Sequence, residues 1–87
     1  IGDQGAVCKY MDYQVWTTGS TGTTSWLITG GYVKQVLSPS SAIIVFTDAI
    51  TENGGWGSID ATGFDTDGNP DFMEWAVMED TGCDNPN

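Results

Sequence analysis

The chain is organised around residues 63–74, which read Gly63-Phe64-Asp65-Thr66-Asp67-Gly68-Asn69-Pro70-Asp71-Phe72-Met73-Glu74. Within the ten residues 65–74, five side chains are carboxylates or a carboxamide: Asp65, Asp67, Asn69, Asp71 and Glu74. Carboxylates this close together repel one another, so the arrangement costs free energy unless a cation lies among them. Calcium binds several oxygen ligands in a tight loop, and a glycine such as Gly68 permits the sharp turn. The stretch predicts a calcium site with these five ligands; the alternative is a solvated acidic turn between two strands.

The opening Asp65-Thr66-Asp67-Gly68 and the later Glu74 resemble the calcium loops of EF-hand and thrombospondin type 3 proteins. Those loops usually read Asp-x-Asp-x-Asp-Gly and have a Glu at the twelfth position. Glu74 is at the tenth position, so the loop is about two residues shorter than a standard EF-hand loop. The resemblance implies calcium as the bound ion and is confined to residues 65–74.

Composition limits the classes of partner. The chain has 87 residues and a formal net charge of −10, with Lys9 and Lys34 as its two cationic side chains. This length suits one domain with one modest core. Nucleic acid and anionic membrane surfaces are excluded as partners, because almost nothing can neutralise phosphates. Eight of the twelve acids lie in residues 60–84, so the C-terminal third favours cations.

The chain contains no His and no Arg. A Ser-His-Asp or Cys-His site cannot be built, and two cysteines are too few for a zinc site without imidazole. Carboxylate pairs remain, as in glycoside hydrolysis, and Asp60 with Glu74 or Asp48 with Glu52 are the pairs to inspect. Because so short a chain has little material for a cleft, we expect a non-catalytic protein.

Cys8 and Cys83 lie near the two ends of the chain, which is typical of a structural disulfide in a small secreted domain. The alternative is two separate thiols, but there is no Cys-x-x-Cys motif. We therefore expect an extracellular or cell-surface protein. No apolar run reaches transmembrane length. The chain begins at Ile1 rather than Met, so we expect that a leader or upstream segment has been removed.

Alternating and β-branched segments predict a mostly β protein, a single small antiparallel β-sheet domain closed by one disulfide. Residues 72–78 also allow a helix, because Asn69-Pro70-Asp71 resembles a helix start. Acidic residues 79–80 at a helix C-terminus are unfavourable, so we predict a strand that brings Cys83 beside Cys8. The domain spans residues 1–87, with turns at 17–24 and 52–55 and loose ends at 1–6 and 84–87. The predicted strands are 7–16, 25–29, 32–37, 42–47, 56–60 and 72–78.

Several of these segments together resemble the globular heads of type IV pilins and pseudopilins. They are Gly31-Tyr32-Val33-Lys34-Gln35-Val36, residues 42–50, Gly55-Trp56-Gly57-Ser58-Ile59, the closing strand 72–78 and the two cysteines. The resemblance implies a four-stranded antiparallel sheet with a disulfide-bounded C-terminal region, and calcium in an acidic C-terminal loop. The hydrophobic N-terminal helix of such filament subunits is absent from this sequence. It would have been cut off or would come from a separate chain.

Two functional classes follow. The first is a non-catalytic, calcium-stabilised structural subunit of an extracellular filament or secretion apparatus, with like or related subunits and a separate hydrophobic helical chain as partners. The alternative is a small secreted calcium-dependent binding module for a glycan or a protein, in which tryptophans stack on sugars. The tryptophans could lie in a contact between subunits or on a glycan-binding surface, or all four could lie in the core. They are Trp16, Trp26, Trp56 and Trp75.

Overall fold

The computed structural model describes residues 5–19 and 21–84. In that part of the chain there are seven strands, one short α-helix and a closing 3₁₀ turn at Thr81–Asp84. The elements are β1 (Ala6–Val7), β2 (Asp12–Trp16), β3 (Thr21–Thr29), β4 (Gly31–Ser38), β5 (Ser41–Phe46), α1 (Asp48–Glu52), β6 (Trp56–Phe64) and β7 (Pro70–Glu79).

The strands form a four-stranded sheet in the order β1-β7-β6-β3 and a three-stranded sheet in the order β2-β5-β4. All the pairings between these strands are antiparallel except β1 with β7, which is parallel. Cys8 is joined to Cys83, with the two Cα atoms 5.6 Å apart. The prediction of a mostly β, largely antiparallel domain closed by one disulfide is confirmed, and the strands are divided between two sheets.

The core lies between the two sheets, because alternate residues of each strand point inward. Phe46 and Ile44 of β5 and Ile59 of β6 are among the fully buried side chains. Ile50 of the short helix closes one end of this core. The other buried members of the cluster are Val7, Val15, Ile28, Ala42 and Val77.

The chain passes from one sheet to the other at Gly30-Gly31. Gly30 has a φ of 92°, which an L residue with a side chain rarely adopts. A Cβ on Gly31 would overlap the carbonyl oxygen of Val45 on the neighbouring strand. Glycine is therefore required at position 30 for its backbone conformation and at position 31 for space.

The predicted strand 7–16 is wrong as a single element. It is broken into β1 and β2, which belong to different sheets. The break lies at Tyr10, which has a φ of 61° and whose N–H donates to the Phe46 carbonyl at 2.7 Å. Alternation of apolar residues identifies extended chain, but it does not show that the chain changes sheet between two such segments.

The predicted turn at 17–24 contains regular structure, since residues 21–24 are the start of β3. The helix α1 was not predicted, and it ends at Glu52, where the predicted turn at 52–55 begins. Thr47 caps this helix, with its Oγ1 accepting a hydrogen bond from Ala49 N at 3.2 Å. Residues 72–78 form a strand, as predicted, and not a helix. Most of the predicted loose ends, 1–4 and 85–87, lie outside the described residues.

Candidate functional site

The acidic stretch is the loop of a β-hairpin. β6 and β7 pair from Trp56 with Met78 to Phe64 with Pro70, and residues 65–69 connect them. The loop is closed by Asp65 N, which donates to the Asn69 carbonyl at 2.9 Å. Gly68 has a φ of 83°, which explains the glycine at this position of the turn.

Asp65 holds the loop together from inside. Its Oδ1 accepts hydrogen bonds from the backbone N–H groups of Asp67 and Asn69, both at 2.9 Å. Thr21 Oγ1 of β3 also donates to the Asp65 carbonyl at 2.9 Å. An aspartate at the start of a turn commonly bonds to the backbone two residues on, so Asp65 has a structural role without an ion.

The five predicted calcium ligands are not brought to one point. Successive side chains of a strand point to opposite faces, so Asp71 and Glu74 of β7 lie on opposite faces of the sheet. Asp67 and Asn69 are exposed in the loop, and one oxygen of Asp65 is already bonded. The five side chains therefore do not form one coordination shell here, and calcium binding by the hairpin stays a prediction.

Among the described residues, one set of three possible metal ligands lies within 4.8 Å of one another, namely Cys8, Asp80 and Cys83. The two cysteines of this set are joined to each other in the disulfide. Since thiolate is the form of cysteine that binds metal, the set is a structural staple and not a metal site in the oxidised protein. Such a disulfide is typical of proteins that fold in an oxidising, extracellular environment.

Both lysines form ion pairs outside residues 60–74. Lys9 Nζ lies 3.1 Å from Asp48 Oδ1 and 3.5 Å from Glu79 Oε2, at the far end of β7. Lys34 Nζ lies 2.9 Å from Asp12 Oδ1 on the three-stranded sheet. In these ion pairs neither lysine neutralises the carboxylates of residues 60–74, and this side of the molecule is strongly negative.

Asp60 of β6 and Glu74 of β7 are directly opposite each other in the sheet. Backbone hydrogen bonds join residue 65 to residue 69 and residue 79 to residue 55, at the two ends of the ladder. Hydrogen-bonded and non-hydrogen-bonded pairs alternate between these ends, so the odd-numbered residues of β6 form the hydrogen-bonded pairs. Asp60 and Glu74 therefore form a pair without backbone hydrogen bonds, in which the side chains approach most closely. Of the predicted acid pairs, this one is the pair that the sheet brings together.

The carboxyl of Asp60 raises the pKa of Glu74, first as a hydrogen-bonding neighbour and then through its negative charge, with a smaller effect of desolvation. Asp60 Oδ1 is buried and has no hydrogen-bond partner in the described chain. Protonation of Glu74 would place a donor beside Asp60.

This geometry differs from that of a glycosidase. In glycoside hydrolases the two carboxyl groups are at least about 5 Å apart, so that the glycosidic bond fits between them. Asp60 and Glu74 are direct cross-strand neighbours on the face of a sheet and do not flank a cleft. The arrangement can take up or release a proton, but neighbouring positions on an open sheet face do not supply the cleft that holds a sugar between two carboxyl groups.

The raised pKa of Glu74 predicts a pH effect on stability. Because the pKa of Glu74 is raised in the folded protein, its contribution is fully present below the ordinary glutamate value and is lost as the pH rises through the folded value. Glu74→Gln removes the charge, so we expect a higher melting temperature than wild type at neutral pH and a vanishing difference in acid. Melts across pH, with Glu52→Gln on the exposed side of α1 as control, measure this. A variant that is less stable than wild type at neutral pH would contradict it.

The side of the four-stranded sheet that points away from the core is here called the outer face. It carries exposed apolar side chains around the central Asp60–Glu74 pair. Leu27 is 67% exposed on β3, Phe72 is 60% and Met78 is 68% exposed on β7. Trp56, opposite Met78 in the ladder, is 50% exposed. No element of the described chain covers these side chains.

The four tryptophans divide into two pairs. Trp26 and Trp75 are partly buried against the core, as the core interpretation predicted. Trp16 and Trp56 are about half exposed, but Trp16 belongs to the three-stranded sheet and Trp56 to the four-stranded sheet. The exposed tryptophans therefore do not form the flat row that stacking on a glycan would need.

The described residues include no helix with the length and apolar character that a membrane crossing requires. Comparisons of the chain with family models, with curated proteins and with solved structures find no match. What the protein does is therefore inferred from its hairpin, its carboxyl pair and its outer face.

Proposed function

We propose that the protein is a non-catalytic structural subunit of an extracellular or cell-surface assembly, of the kind built from type IV pilin and pseudopilin heads. It contacts like or related subunits through the outer face. The observation that carries this proposal is the exposure of Leu27, Trp56, Phe72 and Met78 on one face of the four-stranded sheet.

Exposed apolar side chains that lie together on one face usually mark a surface that binds a partner molecule. The three-stranded sheet also carries exposed apolar side chains, namely Trp16, Tyr32, Val36 and Leu37. Its surface differs in that the ion pair of Lys34 with Asp12 lies on it, beside Val45. We favour the four-stranded sheet as the contact surface because none of the described lysine ion pairs lies on its outer face.

Assembly of like copies must overcome charge repulsion, since each chain has a formal charge of −10. We therefore expect association of the purified protein to increase with calcium and on mild acidification, both of which reduce the negative charge. Sedimentation velocity over a concentration series measures this. Leu27→Ser combined with Trp56→Ser should abolish the association.

The matched control is Trp16→Ser combined with Val36→Ser, which removes a tryptophan and an aliphatic residue at other exposed positions. We expect this control to associate as wild type does. A wild-type protein that stays monomeric at every calcium concentration and pH, or a control that loses association as fully as the outer-face variant, would contradict the proposal.

Calcium stabilisation is the second part of the proposal. Glu74 lies opposite Asp60 on the outer face, so the remaining oxygen donors are the carboxylates of Asp65, Asp67 and Asp71 and the amide of Asn69. We expect the melting temperature to rise with calcium as mass action requires and to fall back on chelation. Asp67→Asn should weaken this response, whereas Glu52→Gln should not. A melting temperature unchanged by millimolar calcium would remove this part of the proposal.

A further inference from the structure

One edge of the four-stranded sheet is open. β1 pairs with β7 at Ala6 with Met78 and Val7 with Glu79. Over residues 70–77, no described strand lies on that side of β7. β7 is therefore an edge strand for most of its ten residues.

The direction of the backbone groups follows from the hydrogen bonds at the two ends of the strand. Glu79 N donates to the Gly55 carbonyl on the β6 side, whereas Met78 N donates to the Gly5 carbonyl on the β1 side. Because the groups of an antiparallel strand alternate in direction, the N–H and C=O groups of Phe72, Glu74 and Ala76 point to the open edge. These six groups are spaced to accept another strand.

Natural edge strands are usually protected from pairing by lysines, prolines, bulges or short length. β7 has none of these along 71–77: its pairing with β6 has no break in register, and Pro70 stands at its first position. The charged residue at the centre of the open stretch is Glu74. An acidic residue there repels acidic strands and attracts basic ones.

We propose that an extended, basic segment of a related subunit pairs with the open edge of β7 as an added strand, with a lysine or arginine beside Glu74. This inference rests on the proposed function, since it names the chemistry of the related subunit. The neighbours of that basic residue lie on the other face, beside Met73 and Trp75, and should be apolar.

Charge selects this partner over a second copy of the chain. Antiparallel pairing of two β7 edges about Glu74 would place two Glu74 side chains directly opposite each other, with an Asp60 on either side. Like charges directly opposite in a sheet are unfavourable, and the two chains also repel through their net charges of −10. A basic strand instead gains a cross-strand ion pair and is steered by the negative field.

Hydrogen exchange of the isolated protein provides the first test. The amides of Phe72, Glu74 and Ala76 should exchange rapidly, whereas those of Met73, Trp75 and Val77, which bond to β6, should be protected. Protection of the first set in the isolated protein would show that the chain covers its own edge, and it would overturn the proposal.

The second test uses the synthetic peptide Lys-Ile-Val-Lys-Val-Ile-Lys with blocked ends, titrated into ¹⁵N-labelled protein. Two further versions of the peptide carry backbone N-methyl groups. In one version the groups are on the second, fourth and sixth peptide residues, and in the other they are on the third and fifth. In an added strand the N–H groups of only one of these sets point to β7, so methylation of that set should lower the affinity at least about tenfold, whereas the other version should bind as the parent peptide does. Which of the two versions loses affinity shows whether the peptide pairs with β7 in the parallel or the antiparallel direction.

The protein side of the test is Glu74→Gln, which should weaken binding of the lysine-centred peptide about twofold to fivefold. Glu52→Gln, with the same change of charge on α1, should have no such effect. Equal binding of the two methylated peptides, or equal effects of the two variants, would overturn strand addition. Those outcomes leave assembly through Leu27 and Trp56 unaffected, so failure of the inference is distinguishable from failure of the proposed function.

Discussion

Replacement of both Cys8 and Cys83 by Ala is expected to lower the free energy of unfolding by about 4 kcal/mol. The bridge spans 75 residues of the chain, so its loss frees nearly the whole unfolded chain from a constraint. For a domain of this size the same change corresponds to a fall in melting temperature of roughly 15 to 30 °C. Because small domains have only about 5 to 15 kcal/mol of stability, this loss is a large fraction of the total.

Thermal and denaturant unfolding of the oxidised wild type, the reduced wild type and the double variant measure the effect. The reduced wild type should behave as the double variant does, and the reductant should leave the double variant unchanged. A loss below about 1 kcal/mol would mean that the bridge joins segments that the rest of the fold already holds together.

Phe46→Ala is expected to cost about 3 to 5 kcal/mol, because it empties the centre of the core. Phe46 is fully buried at the end of β5, and its ring meets that of Tyr13 edge-on at a centroid distance of 6.3 Å. Gly57 of the other sheet leaves the space that the ring fills, since a Cβ there would lie 3.3 Å from Phe46 Cε1. Few neighbouring groups can move to close the cavity.

Phe72→Ala makes the same chemical change at a position that is 60% exposed, and it should alter stability by less than about 0.5 kcal/mol. Urea unfolding of both variants gives the comparison directly. Similar losses at the two positions in dilute, monomeric protein would mean that the chain itself covers Phe72, and the description of the outer face would then be wrong.

The sequence predicts the strands whose composition is decisive. The apolar, β-branched segment 42–47 is found as β5, the central strand of its sheet, and 72–78 is found as β7. The disulfide was also predictable, because a chain with two cysteines allows only one intramolecular pairing. In each case local composition and long-range packing favour the same structure.

Other features depend on contacts that lie far apart in the sequence. Tyr10 breaks the first predicted strand because its backbone bonds to Phe46, which is 36 residues away by their numbers. The helix α1 carried a usable signal, since Thr47 and Asp48 are a capping residue followed by an acid in the first turn. Its anchoring by Ile50 in the core depends on tertiary structure.

The candidate site was only partly predictable. The acidic stretch suggested one ion with five ligands, whereas the hairpin places Asp71 and Glu74 on opposite faces. Once residues 65–69 are taken as a hairpin loop, the register that pairs Asp60 with Glu74 follows by counting outward from the loop. The open edge of β7 could not be predicted, because it depends on how far β1 extends beside it.

The most direct test of the outer face as the contact surface is photo-cross-linking of the assembled protein. A photoreactive phenylalanine analogue is placed at Leu27, on the outer face, or at Trp16, on the three-stranded sheet. We predict that, under conditions of assembly, the analogue at position 27 forms cross-links to the neighbouring subunit and the analogue at position 16 does not. Cross-links from position 16 alone would contradict the account.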